Sequence, residues 1–211
     1  PKKNKSVSCF SCLQTYYTRR RHMDRTEQIR EYLKPYIVKR VQRKIEETIQ
    51  MKVSHLQSSV ADLLGGALKR QEEQPQWKPS YMGMLHLSTS LLTESYEYEL
   101  FIADKQMYLD ESQVIRYWKP EFLYQDAQEE DGVRKELTKR FVRLTSYEVS
   151  YAKRFLFYEY RNIAGVYWKE NLDKIIKLEG FINLKKTDQF LILFGDYMGK
   201  IHTVLSYGEG M

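Results

Sequence analysis

DRTEQIREYLKPYIVKRVQRKIEETIQMKVSHLQSSVADLLGGALKRQE, residues 24 to 72, places apolar side chains at Ile29, Leu33, Ile37, Val41, Ile45, Ile49, Val53, Leu56, Val60, Leu63 and Ala67. Steps of four and three residues match the 3.6-residue turn of an α-helix, so these positions form one apolar stripe between charged and amide side chains. Asp24 is a fitting N-cap, Gly65 and Gly66 weaken the far end, and Pro75 and Pro79 close the segment. Pro35 removes a backbone donor early in the run and is expected to kink it or to start its main part. A straight helix of this length would span roughly 70 Å at about 1.5 Å per residue, more than the width of the remaining chain. The stripe therefore predicts a partner surface: a second copy, another protein or a membrane. Six successive steps of four, from Ile29 to Val53, make the stripe drift around the helix, which disfavours a regular two-stranded coiled coil there.

Charge divides the chain at nearly the same place. Residues 1–70 carry sixteen Lys or Arg against six Asp or Glu, whereas residues 71–211 carry eighteen against twenty-two. The formal net charge of +6 thus conceals a basic N-terminal part on an acidic body, an asymmetry that points to a polyanionic partner. Residues 1–23 show no sustained period and are read as a flexible basic arm, with Phe10, Tyr16 and Tyr17 among clusters at Lys2, Lys3, Lys5 and Arg19–Arg21.

Beyond QEEQPQWKP the pattern changes again. MLHLSTSLLT, YEYELFIA and QMYLD read as an antiparallel meander from about 83 to 110, continuing through VIRYW and FLYQ, with a helix as the alternative for 84–95. Val133, Leu137, Phe141 and Leu144 share a helical face, and Thr145 with Glu148 forms a T-x-x-E capping box ahead of a helix from 146 to near Gly165. Further helices are expected at about 169–179 and 189–205. A hairpin turning at Gly195 and Asp196 competes for the last of these. The resulting expectation is an α+β fold in three parts: a flexible basic arm at 1–23, a long amphipathic helix at 24–72, and a core of antiparallel sheet plus C-terminal helices at 80–211.

Chemical motifs are sparse. Cys9-x-x-Cys12 and His22 supply three metal ligands where structural zinc requires four, so the two thiols are read as unmodified, with S-acylation beside the basic clusters as the alternative. His86 and Ser88 would share a strand face as the beginning of a base and nucleophile pair, with nothing to complete it. Glu97 with Glu99, and Glu129 to Asp131, read as solvated carboxylates and a favourable helix N-terminus. No phosphate-binding, dinucleotide, zinc-protease or EF-hand motif occurs, and no metal or cofactor is expected. The chain lacks a run of 18 apolar residues and an apolar segment of secretory type, so a cytoplasmic location is expected.

The reading that follows is a non-enzymatic binding or assembly protein. Arg19, Arg20, Arg21, Arg25, Lys39, Arg40, Arg43 and Lys44 are the candidate contacts to nucleic-acid phosphates, and Ile45, Ile49, Val53, Leu56 and Val60 the candidate interface of a homo-oligomer or larger assembly. The alternative is a peripheral membrane or scaffold subunit that sets the same helix against anionic lipid or a partner protein.

Overall fold

A computed structural model describes residues 24–49 and 54–208. The stripe-bearing run forms two helices, α1 (Arg25–Ile49) and α2 (Ser54–Glu73), with Pro35 inside α1. Asp24 starts α1 by accepting the Glu27 N–H at 2.8 Å, the orphan donor that an N-cap satisfies.

Five strands follow: β1 (Tyr81–His86), β2 (Tyr98–Ala103), β3 (Val114–Trp118), β4 (Gln189–Asp196) and β5 (Ile201–Gly208). They make one sheet in the order β3-β2-β1-β4-β5, antiparallel except where β1 lies parallel to β4. The expected meander is present as β1, β2 and β3, but QMYLD forms a single 3₁₀ turn (Met107–Leu109) and FLYQ forms no strand. The helical alternative also holds in part, because α3 (Ser88–Leu92) stands between the first two strands. Between β3 and β4 come α4 (Asp126–Thr138), α5 (Ser146–Glu170), and the short helices α6 (Leu172–Ile175) and α7 (Glu179–Asn183). The capping box forms as the sequence predicts: Thr145 Oγ1 accepts the Glu148 N–H at 3.2 Å, and Glu148 Oε2 accepts the Thr145 N–H at 2.8 Å.

The helix expected at 189–205 is instead the β4–β5 hairpin. Phe190 and Ile192 alternate toward the helices in β4, a period of two that the coincident three- and four-residue spacings obscure. Gly195 lies so close to β5 that a Cβ would sit 2.3 Å from the Lys200 carbonyl oxygen, and Asp196 N donates to that same oxygen. The Gly195 and Gly199 pair therefore serves a tight return, not helix packing.

Ile29, Leu33, Ile37, Leu56, Val60, Leu63 and Ala67 are buried in one cluster with Leu156 and Tyr160 of α5, Tyr98 of β2 and Trp118 of β3. α1 packs along α5 and α2 along β3. Each large apolar side chain so buried contributes roughly 1.5–3 kcal/mol, so much of the expected demand for an outside partner is met within the chain. On the opposite sheet face a smaller cluster joins Leu85, Phe101, Ala103 and Leu193.

Candidate functional site

α1 begins where α4 passes into α5, and the junction is held by Arg25. Its Nε donates to Glu148 Oε1, its Nη2 to the Val142 carbonyl at 2.9 Å, and its guanidinium lies 5.7 Å from the Phe141 ring centroid. Hydrogen bonds from Thr145 and Arg25 hold the Glu148 carboxyl below its usual value. The segment gripped in this way is Lys139-Arg140-Phe141-Val142-Arg143. Arg140 lies over Tyr32 at 5.6 Å, and Arg143 adopts φ 56°, a left-handed conformation that non-glycine residues visit only where the surroundings hold it. Val142 is 80% exposed. Lys135 and Arg143 are exposed and make no ion pair among the described residues, whereas Lys139 pairs with Glu136 at 2.6 Å. This basic corner lies where residues 1–23 join the body.

The cations read from the sequence divide into three groups. Arg19, Arg20 and Arg21 lie outside the described residues, as do Cys9, Cys12, His22 and the arm aromatics. Arg25, Arg40 and Lys44 are engaged within the chain. Arg40 donates from Nε to Glu129 Oε2 at 3.0 Å and from Nη2 to Oε1, and this pairing raises its pKa. Lys44 is buried 3.7 Å from Glu47, and loss of water lowers its pKa. Lys39 and Arg43 alone of the α1 candidates are exposed without an ion pair among the described residues.

The interface candidates divide too. Leu56 and Val60 are wholly buried, Ile45 packs half-buried against the same core, and Val53 lies outside the described residues. Ile49 closes α1.

His86 ends β1 and Ser88 begins α3, so the two do not share a strand face. The partner that sequence spacing missed is Asp196, at the end of the parallel strand β4. Its Oδ1 is 3.5 Å from His86 Nδ1, and Arg161 of α5 grips both its oxygens at 2.7 and 2.6 Å. Arg161 also lies over Tyr158 at 4.1 Å. Neither His86 ring nitrogen makes a hydrogen bond among the described residues, and the ring is buried. Burial lowers its pKa from 6.5, opposed by Asp196. The folded state thus takes up a proton less readily than the unfolded chain, so His86 contributes stability above about pH 6.5 that is lost as pH falls. Stability measured by urea unfolding should decline from pH 7 to 5, and His86→Gln should flatten that decline; equal slopes would show that His86 does not carry it. A buried imidazole beside an Arg-neutralised carboxylate braces the strand ends and offers no open face to a substrate.

A polar pocket of about 540 Å³ is lined by Trp77, Ser80, Asp104 and Asp110, but Asp110 already accepts from Trp77 Nε1 and from the N–H groups of Asp104 and Ser112. A mainly apolar groove of about 450 Å³ runs between α1 and α5 past Ile37, Val38, Val41 and Phe155, with Arg30 and Lys34 on its rim. The described residues contain no cluster of three His, Cys, Asp or Glu arranged to hold a metal ion, and no helix long and apolar enough to cross a membrane. Compared with protein-family models, curated proteins and solved structures, the chain matches none.

Proposed function

We propose that the protein is a non-enzymatic binding protein whose basic arm engages nucleic-acid phosphates, with the corner formed by Arg140 and Arg143 continuing the contact onto the folded body. The observation that carries this reading is the location of that corner. Residues 1–23 hold six Lys or Arg and no Asp or Glu, and Arg21 lies only three residues before the α1 cap at Asp24. Extended chain reaches about 10 Å over three residues and about 17 Å over five, so Arg19–Arg21 and the 139–143 segment are within range of neighbouring phosphates on one duplex or strand. Lys39 and Arg43 extend the exposed positive charge along α1. The buried pairs of Arg40 and Lys44 take no part.

Exposed Val142 and Tyr147 beside these cations favour a second reading, adsorption of the same corner on an anionic lipid surface. A paired titration separates the two. Wild type and the Arg19→Ala/Arg20→Ala/Arg21→Ala variant are titrated with DNA and RNA of unrelated sequence and with phosphatidylserine vesicles, each at two salt concentrations. The nucleic-acid reading expects roughly uniform weakening across sequences and a flatter salt dependence in the variant, because each lost phosphate contact removes about one released counterion. Adding Arg140→Ala/Arg143→Ala should flatten it further. Vesicle binding affected alone would favour lipid, and no binding to either would remove both readings.

A further inference from the structure

β5 is an edge strand of the sheet among the described residues. Its eight residues, Ile201–Gly208, pair with β4 on one side, and the backbone groups that point away from β4 meet no strand among the described residues. His202, Thr203, Ser206, Tyr207 and Gly208 are exposed. Edge strands are ordinarily protected by short length, proline, β-bulges, or charged side chains, Lys above all. IHTVLSYG has no proline, no carboxylate, no ammonium and no guanidinium. A bulge displaces Val204 where the register shifts beside Ile192 and Leu193; it bends the strand but leaves it uncharged. The opposite edge differs, because β3 has five residues, carries exposed Arg116 and has α2 packed along it.

We infer that β5 is the seam of a homodimer in which two copies lay their β5 strands antiparallel about a two-fold axis, joining two five-stranded sheets. Three observations select a second copy as the occupant. First, the strand is neutral, so identical strands face one another without the like-charge opposition that destabilises a cross-strand pair. Second, β5 against β5 is isologous and closes, whereas β5 against β3 would propagate into an open filament. Third, apolar side chains flank the ladder: Tyr207 packs edge-on against Phe181 at 5.4 Å, Ile182 of α7 is 66% exposed, and Met198 at the hairpin tip is 69% exposed. Lys186, beside Tyr207, is no obstacle, since its ammonium donates to the carbonyls of Phe181 and Leu184. The seam is independent of what the arm binds. It would set two basic arms on one assembly and raise the avidity of either reading above.

The test is sedimentation of the full chain over a concentration series. Wild type should approach twice the 25.4 kDa of one chain. Thr203→Lys/Ser206→Lys, both at exposed positions, places like charges across the two-fold and should weaken self-association at least about tenfold while circular dichroism and melting cooperativity stay unchanged. Val38→Asp, in the α1–α5 groove, should leave the dimer intact. A wild type at single-chain mass throughout, a dimer that survives both lysines, or one that Val38→Asp dissolves would each overturn the proposal.

Discussion

Glu129→Ala is expected to destabilise the protein by about 3–5 kcal/mol, because it strips the carboxylate from a largely buried guanidinium and leaves that cation with too little water to replace it. Glu129 is 1% exposed and the Arg40 side chain 14%, with the buried Lys44 ammonium on the same stretch of α1. Glu129 belongs to the acidic run at the start of α4, where a carboxylate is favoured by the helix dipole; the fold turns this one inward instead of leaving it to solvent. Arg43→Ala, one turn from Arg40 on the exposed face, should change stability by no more than about 0.5 kcal/mol. Replacing the pair together, Arg40→Met with Glu129→Leu, should recover most of the loss, since apolar groups of similar size often substitute for a buried ion pair at little cost. Denaturant unfolding of the four proteins checks this. A loss under about 1 kcal/mol for Glu129→Ala would mean that Arg40 is well hydrated and returns to the set of cations open to phosphate.

That pair also shows where the sequence is legible. Periodicity and caps are local properties, and they identified the helical run from Asp24, the T-x-x-E start of α5 and the helix through Val133 and Leu137. The interactions that decide the site join distant positions. Arg40 and Glu129 are 89 residues apart, Arg25 and Glu148 are 123 apart, and His86 meets Asp196 only because β1 and β4 lie parallel. Counting charge along the chain therefore could not show that Arg40 and Lys44 are engaged within the fold, nor that Arg140 and Arg143 flank the Phe141–Val142 segment that Arg25 holds. The C-terminal hairpin was obscured for a different reason. Phe190, Phe194, Tyr197, Ile201 and Leu205 satisfy a helical period by coincidence, while the close return at Gly195 requires a neighbouring strand that local spacing does not reveal.

The second large effect concerns the stripe itself. Leu56→Ala should cost about 2–5 kcal/mol, the usual loss for emptying a filled core position, and Val60→Asp should cost at least as much by placing an unpaired carboxylate among apolar neighbours. Both side chains are 0% exposed within a single chain, in the cluster that holds Trp118 and Tyr160. If the stripe instead served mainly to join chains, these substitutions would release folded subunits of unchanged intrinsic stability. The measurement is therefore paired: unfolding free energy and sedimenting mass on the same samples. Internal packing expects the Leu56→Ala protein to melt earlier yet keep the wild-type mass under conditions where it remains folded. A fall in mass with little change in monomer stability would return the stripe to the surface of an assembly. The distinction also guards the β5 proposal, because a core substitution weakens the fold throughout, whereas lysines on an exposed edge strand remove the seam and leave the fold standing.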